Sequence, residues 1–213
     1  RLDYNQQEPR MLVHYARLRA IKGSREACEA YQEKDADFHT LVAEMAGIKR
    51  KVAKTINLGI MYGMGTFKLG QMLGLNYNDA TILLEKYHEK VPFVKGLSHE
   101  ASKAATYRGE IKTLLGRKRH FHFWEPADST LKWPNKEMPL RKEDAEKIWS
   151  GRPLRRAYTH KALNALIQGA SADLTKKAML MLYNELKIVP HIQVHDEIDI
   201  THADNPLIKS VIE

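Results

Sequence analysis

Apolar residues recur at helical spacing along most of the chain, whereas strand-like alternation is confined to a few short segments. Met11, Tyr15 and Leu18 fall on one stripe, which predicts an amphipathic helix over 7–20. A charged, glycine-containing stretch follows it. The same helical pattern, with glycine or proline near its ends, predicts further helices over 41–46, 48–61, 79–89, 93–107 and 158–186.

Strand patterns lie near both ends of the chain and once in its middle. A short strand is predicted over 2–4, and a hairpin is predicted from segments 111–115 and 118–123, which flank a Gly-Arg pair. Residues 191–201 alternate apolar and polar side chains about a central His-Asp pair, which predicts a strand, a tight turn and a second strand with an acid at the tip. The proline-containing segment 124–138 predicts a loop or insertion.

Composition narrows the class of protein. With 213 residues, 43% of them hydrophobic and 28% charged, the chain is long enough for a real core and resembles neither a disordered tail nor a membrane protein. Its single cysteine, Cys28, excludes internal disulfides and a multi-cysteine zinc site, and suggests a reducing compartment. A net charge of +8 indicates a polyanionic partner. Since the chain starts at Arg1 and stops at Glu213 within an apolar stretch, we expect a piece of a longer protein.

Carboxylates occur at two strand ends that are far apart in sequence. Asp3 ends the first predicted strand, and Asp196 and Glu197 occupy the tip of the last hairpin. If these strands share one sheet, their acids can meet. Such a pair suits two hard cations such as Mg²⁺, which bind one or two carboxylates together with substrate phosphates.

A basic helix lies between these acids. Arg50, Lys54, Leu58 and Tyr62 are four apart, so they form one slowly drifting helix face. Two cations, then an apolar side chain, then an aromatic ring is the order that would suit the triphosphate, the sugar and the base of a nucleotide. An amphipathic surface helix with a basic edge is the alternative.

Polar side chains also recur on the longest predicted helix. His160, Asn164 and Gln168 are four apart, and such side chains can donate to the acceptors that every base pair presents in the minor groove. A buried polar ladder between helices is the alternative. Basic clusters at 117–120 and 152–156 could contact phosphates, although solvated loops would look the same.

The spacing of His191 and His195 raises the question of a zinc site, because histidines four apart on a helix can share one metal. The alternation around them instead favours a strand, in which four residues span about 13 Å and cannot share an ion.

Five segments, taken in order, resemble family A DNA polymerases. DYNQQEPR from Asp3, RKVAKTINLGIMYG from Arg50 and HDE from His195 are similar to motifs A, B and C of that family, and the linking segments 37–39 and 164–173 agree as well. The resemblance covers nearly the whole chain. It implies an α+β fold, with helix-rich fingers on an antiparallel palm sheet.

The resemblance also implies an organisation and a reaction. Palm would occupy 1–24, fingers 25–124, a loop or insertion 125–157, and truncated palm 158–213. A primer 3′-hydroxyl would attack the α-phosphorus of a dNTP and release pyrophosphate, with two Mg²⁺ ions as cofactors. Primer-template DNA and dNTPs would be the partners, the location would be cytoplasmic, and no membrane would be involved.

Individual roles follow from the resemblance, motif by motif. Asp3 and Asp196 would bind the metals together with the Tyr4 carbonyl, and Glu197 would be an accessory acid. The incoming nucleotide would be contacted by residues of motifs A and B and by a histidine before motif B: Gln6, Glu8, His39, Arg50, Lys54, Leu58 and Tyr62. The primer-template duplex would be contacted by Arg10, Asn164, Gln168 and His195.

Within the nucleotide group, the implied tasks differ. His39, Arg50 and Lys54 would hold the triphosphate, and Lys54 would also protonate the leaving pyrophosphate. Tyr62 would pack near the template base, and Glu8 would block the sugar 2′ position so that ribonucleotides are excluded.

Some positions depart from the family pattern. Asn5, Gln7 and Pro9 replace the usual Ser, Ile and Leu, and His160 stands where an Arg is usual. Leu58 replaces the usual Phe or Tyr beside the sugar, so we expect altered sugar discrimination and a phage-type replicative enzyme. A single-subunit RNA polymerase and a non-catalytic DNA-binding module are the alternatives.

Overall fold

The computed structural model describes residues 1–32, 37–130 and 136–201. The helices in these ranges are α1 (Gln7–Leu18), α2 (Ser24–Ala30), α3 (Phe38–Ala46), α4 (Arg50–Met61), α5 (Thr66–Leu73), α6 (Tyr77–Lys90), α7 (Pro92–Arg108), α8 (Lys142–Ile148) and α9 (Ala162–Leu186). The strands are β1 (Leu2–Asp3), β2 (Glu110–Lys112), β3 (Lys118–His120), β4 (Phe123–Pro126), β5 (Leu140–Arg141), β6 (Leu154–Arg156), β7 (Ile192–Val194) and β8 (Glu197–Asp199). This mixture of helices and antiparallel strands confirms the α+β prediction.

The described strands form three small antiparallel sheets. β8 lies between β1 and β7, so the first and last strands of the described chain share one sheet, with Leu2 opposite Ile198. β2 and β3 form the predicted hairpin. β4 lies between β5 and β6 in the third sheet.

One continuous hydrophobic core joins the helices. α1, α7 and α9 pack on one another, and α4 packs on α3. Leu12, Phe38, Ile56, Phe93 and Ile167 contribute fully buried side chains to this cluster. Because each of these helices carries apolar residues on one face, packing those faces together removes the stripes from water and leaves the polar faces outside.

Helix ends follow the local chemistry that the sequence indicates. Asp37 accepts a hydrogen bond from the Thr40 N–H as the N-cap of α3, and Gly47 ends that helix in the left-handed region at φ 63°. Pro92 opens α7, where its missing N–H costs nothing. Within the described ranges no helix is both long and apolar enough to cross a membrane.

Three short helices and a small sheet are absent from the sequence prediction. α2 lies in the charged stretch after α1, and α5 follows the exit of α4. The prediction of a loop over 124–138 is wrong at its start, because Trp124 to Pro126 belong to β4, and 125–157 also holds β5, α8 and β6. Pairing of β4 with β6, which comes some thirty residues later in the chain, stabilises this sheet, and no local pattern reports that pairing. Residues 131–135, which include Pro134, lie outside the described residues.

Candidate active site

The acids from the two ends of the chain meet on one sheet. β1 pairs antiparallel with β8, which sets Asp3 opposite Glu197, and the Tyr4 N–H donates to the Asp196 carbonyl at 3.3 Å. Asp196 lies in the two-residue turn between β7 and β8, where His195 has a φ of 54°. The prediction that these distant acids meet across one sheet is therefore confirmed.

The oxygen donors at this sheet fit a hard cation that also binds a substrate. Asp3 is exposed and Asp196 half-buried, whereas Glu197 forms an ion pair with Arg1. Among the described residues, no three His, Cys, Asp or Glu side chains group closely enough to hold a metal by themselves. Two carboxylates and the Tyr4 carbonyl are instead the sparse set that Mg²⁺ accepts when phosphate oxygens complete its shell.

The basic face of α4 is open to solvent. Arg50, Lys54 and Tyr62 are exposed, and Leu58 is half-buried. Tyr62 directly follows the last residue of the helix. The opposite face is buried in the core through Ala53, Ile56 and Asn57. The predicted face therefore exists, and it runs from cations at the helix start to an aromatic ring at its end.

Arg50 is held by an acid from the neighbouring helix. Its Nε donates to Asp37 Oδ2 at 2.8 Å, and the same oxygen accepts from the Thr40 N–H and hydroxyl at 2.8 and 2.6 Å. Burial alone would raise the pKa of Asp37, but the bonds from Arg50 and Thr40 outweigh it and hold that pKa well below its usual range. Asp37 is therefore charged across the physiological range and fixes one side of the Arg50 guanidinium.

His39 lies close to Arg50 and Lys54 and is hydrogen-bonded to Asn57. Its Nδ1 is 3.1 Å from Asn57 Nδ2, and the Tyr87 hydroxyl donates to Asn57 Oδ1. Burial lowers the pKa of His39, and the nearby Arg50 and Lys54 lower it further against the opposing charge of Asp37. The three triphosphate-binding candidates His39, Arg50 and Lys54 are thus neighbours, although they come from two helices.

Glu8 connects the acids to the end of α4. The Tyr62 hydroxyl donates to the Glu8 carboxylate at 3.4 Å. Burial raises the pKa of Glu8, and the negative charge of Asp196 raises it further, whereas Tyr62, Gln168 and His195 lower it. Glu8 and these four side chains therefore lie close together, although they come from the three motifs and from α9.

Two predicted ligand contacts have other partners in the structure. Gln6 Oε1 accepts from the Phe38 N–H at 2.9 Å, so this amide ties the start of α1 to the start of α3. Arg10 Nε donates to the Asn5 carbonyl at 2.9 Å, and its guanidinium lies 4.8 Å from the Tyr31 ring centre. Both side chains brace the segment between β1, which ends at Asp3, and α1.

The polar ladder on α9 divides between two environments. Gln168 is exposed near Glu8, and Asn164 is half-buried one turn earlier. His160 precedes the helix, in a 3-10 turn over Thr159–Lys161, and packs against Gly63. A Cβ at that glycine would lie 3.3 Å from the His160 carbonyl oxygen.

Most of the basic clusters proposed for phosphate binding are paired within the chain. Arg117 binds Asp173 at 2.6 Å, which ties the β2–β3 hairpin to α9. Arg152 binds Asp128 and Glu137, and the buried Glu125 binds both Arg155 and Lys136. These pairs stabilise the hairpin and the β4 sheet. They leave α4 as the better candidate for an anion.

The alternative of a shared zinc ion is not supported by the backbone. His191 and His195 flank strand β7, so their spacing is that of an extended chain. His195 lies at the turn beside Asp196 rather than on a helix face shared with His191.

Asn57, Tyr87 and Asp37 contact candidate residues but were not assigned a role from the sequence. The role of Asn57 could have been suspected from the sequence, because it lies on the apolar face of α4 between Ala53 and Ile60, where a buried polar side chain needs a hydrogen-bond partner. Tyr87 carries no such signal, since an aromatic residue on a buried face needs no polar explanation.

Comparison with known proteins identifies relatives along almost the whole chain. The model of the family described as DNA polymerase family A matches residues 1–210. The DNA-directed DNA polymerase of Pseudomonas phage M6 is 36% identical over 92% of this chain and 32% of its own length. The thermostable DNA polymerase I of Thermus aquaticus is 31% identical over 92% of this chain and 22% of its own length.

The fold agrees with these matches. The POL domain of Pol1 from M. smegmatis, solved in complex with DNA primer-template and dNTP, superimposes with a TM-score of 0.72 at 25% identity, covering 99% of this chain and 35% of that one. The chain thus spans about a third or less of the length of these relatives. Together with the order of the three motifs on the observed fold, these matches show that the chain belongs to DNA polymerase family A.

Proposed function

We propose that the chain carries the nucleotide-adding site of a template-directed DNA polymerase that extends a primer 3′-hydroxyl with dNTPs. The observation that carries this proposal is the pairing of β1 with β8, which brings Asp3 beside the turn that carries Asp196, with Glu8 lying between this turn and the end of the basic helix α4. The relatives' names, which are those of DNA polymerases, support the same activity.

Asp3, Asp196 and the Tyr4 carbonyl would hold two Mg²⁺ ions, with Glu197 as an accessory acid. When bound, such ions make the primer hydroxyl a better nucleophile and neutralise charge on the phosphates. The α-phosphorus gains a bond to the primer 3′-oxygen and loses its bond to the bridging oxygen of pyrophosphate. The protein contributes mainly by placing these groups in line.

His39, Arg50 and Lys54 would hold the triphosphate. Lys54 is exposed, and no hydrogen bond or ion pair is found for its ammonium group among the residues that the structure describes. That group is therefore available to donate a proton to the leaving pyrophosphate. Arg50 is already oriented by Asp37 through Nε, so its terminal nitrogens remain for phosphate oxygens.

Glu8, Leu58 and Tyr62 would surround the sugar and base. Because the Glu8 carboxylate is bonded to Tyr62, it forms a fixed wall against which a 2′-hydroxyl would press, so deoxyribonucleotides would be selected. Gln168, Asn164 and His195 would contact the primer-template duplex, with Arg10 bracing the motif A loop.

The test is primer extension with Mg²⁺ by the full-length protein that contains this chain. We expect extension with dNTPs by the wild type and its loss by several orders of magnitude in Asp196→Asn. Asp199→Asn is the matched control, because it removes an acid from the same hairpin three residues away. Activity that survives in Asp196→Asn would overturn the metal assignment.

Two further results would assign the protein to the alternatives. Extension with NTPs rather than dNTPs would favour an RNA polymerase. Absence of extension by a folded wild type that still binds DNA would favour a non-catalytic module.

A further inference from the structure

A buried chain of three polar side chains runs behind the basic face of α4. His39, Asn57 and Tyr87 come from α3, α4 and α6, and they are 7%, 1% and 0% exposed. Asn57 Nδ2 lies 3.1 Å from His39 Nδ1, and Asn57 Oδ1 contacts the Tyr87 hydroxyl. Polar groups this deeply buried need partners, so the direction of each hydrogen bond is constrained.

The Tyr87 end fixes the orientation of the Asn57 amide. Within the described residues, Asn57 Oδ1 is the acceptor found for the Tyr87 hydroxyl proton. If the amide were turned over, Asn57 Nδ2 would donate to Tyr87, and the hydroxyl proton would be buried without an acceptor. The lower-energy arrangement therefore has Tyr87 donating to Asn57 Oδ1 and Asn57 Nδ2 donating to His39 Nδ1.

This direction determines where His39 carries its proton. Since Nδ1 accepts a hydrogen bond, a neutral ring must hold its single proton on Nε2. Burial lowers the pKa of His39. The negative charge of Asp37 opposes this effect, and Arg50 and Lys54 add to it, so the net shift is downward and the neutral ring is favoured near pH 7.

We propose that Asn57 and Tyr87 are positioning residues that hold His39 as the Nε2–H tautomer, a neutral hydrogen-bond donor to the phosphate oxygens of the incoming nucleotide. The second half of this inference rests on the proposed function. The arrangement orients the triphosphate without a third positive charge beside Arg50 and Lys54. Excess charge there would bind the pyrophosphate product as firmly as the substrate, which does not raise the rate.

The tautomer can be read directly by NMR of the full-length protein labelled with ¹⁵N-histidine, without nucleotide. The His39 signals are assigned by their loss in His39→Gln. We expect wild-type His39 to show the proton on Nε2. We expect Asn57→Asp to move it to Nδ1, or to give a doubly protonated ring, because a carboxylate can only accept. A wild-type spectrum with the proton on Nδ1 would overturn the proposal.

Kinetics test the connection to the nucleotide. If the Asn57→Asp ring carries only the Nδ1 proton, the dNTP KM is expected to rise roughly tenfold to hundredfold, the value of one hydrogen bond to a charged oxygen, with a smaller change in kcat. A doubly protonated ring keeps its Nε2 donor, so in that case the KM should not rise. Tyr87→Phe removes only the hydroxyl and keeps the shape of the ring. It therefore provides a second test of the same chain of hydrogen bonds if Asn57→Asp fails to fold. It should give a mixture of tautomers and a smaller rise in KM.

A double-mutant cycle separates positioning from general stability. The effect of Tyr87→Phe on KM should disappear in a His39→Gln background, because it acts through His39. Tyr15→Phe is the matched control, since it also removes a buried hydroxyl, one that accepts from the Leu114 N–H. Equal KM effects of Tyr87→Phe and Tyr15→Phe would overturn the positioning role. Failure of the proposed function would look different, as an inactive wild type whose His39 still carries its proton on Nε2.

Discussion

Replacing Gly109 by alanine should disturb the junction between α7, the hairpin and the β4 sheet. Gly109 ends α7 at φ 71°, and a Cβ there would lie 2.7 Å from Cζ of Arg156. That guanidinium donates to the Phe121 carbonyl at 2.9 Å and to the Thr106 carbonyl at 3.2 Å, and it lies 4.6 Å from the Trp124 ring centre. The alanine can be accommodated only if this anchored group moves.

The cost of Gly109→Ala has two parts. The left-handed backbone costs an alanine about 1–2 kcal/mol. Loss of the two Arg156 hydrogen bonds adds about 1 kcal/mol each. The expected total is therefore about 3–4 kcal/mol. Gly74→Ala isolates the first part, because Gly74 ends α5 at φ 69° and no atom of the described residues lies within 4 Å of the place that its Cβ would take.

Native-state hydrogen exchange of the full-length protein measures both changes locally. Peptides over 105–124 should lose about 3–4 kcal/mol of opening free energy in Gly109→Ala, whereas peptides over α5 should lose about 1–2 kcal/mol in Gly74→Ala. In an Arg156→Ala background, the excess cost of Gly109→Ala should vanish. Equal losses for the two glycine variants, or an excess that persists without Arg156, would refute the steric argument.

Two further predictions concern α4 and Asp37, which contacts it. Leu58→Tyr should raise incorporation of dideoxynucleotides relative to dNTPs by roughly fivefold, because a phenol beside the sugar can replace the hydrogen bonding of an absent 3′-hydroxyl. Competition assays that give the same ratio for the wild type and the variant would contradict this prediction. Asp37→Asn keeps the cap of α3 but removes the charge beside Arg50. Since the pKa of Asp37 is lower in the folded than in the unfolded state, the wild type should be more stable than Asp37→Asn above about pH 4 and should lose this advantage as the pH falls further. Denaturant titrations in which the stability difference between the two proteins grows at low pH would contradict this prediction.

Local patterns were sufficient for the elements that local chemistry defines. The stripe of Met11, Tyr15 and Leu18 predicts a helix over 7–20, and the observed α1 ends two residues earlier. Gly47 stops α3 where a left-handed residue is needed, and the Gly116 turn closes the hairpin. In each case the residues that decide the structure are neighbours in sequence.

Elements held by distant partners could not be predicted in this way. α2 has seven residues, and its buried Ala27 gives too weak a stripe to detect without α1 to pack against. β4 contains the acid Glu125, whose burial depends on Arg155 thirty residues away and on Lys136. A charged residue next to a proline resembles a loop until those partners are known.

The candidate site divides along the same line. The motif order was enough to name Asp3, Asp196 and the α4 face, but not what each side chain touches. Gln6 is predicted to contact the nucleotide, yet its side-chain oxygen accepts a hydrogen bond from the Phe38 N–H. Only the packing of α3 against α4 makes the Asn57 bond to His39 visible, and these two residues are 18 positions apart.

The pairing of β1 with β8 also sets an order of events during synthesis and folding. Several helices between these strands pack on their neighbours in sequence, as α3 does on α4 and α5 on α6, whereas Arg1 and Glu197 are 196 positions apart. Closing so long a loop costs conformational entropy that is offset only when the strands pair, so this sheet should form after the helix pairs that are neighbours in sequence. On the ribosome, Asp3 has no partner strand until the last hairpin has emerged. A nascent chain therefore contains α4, the helix proposed to bind the nucleotide, before the two strands proposed to hold the metals can pair.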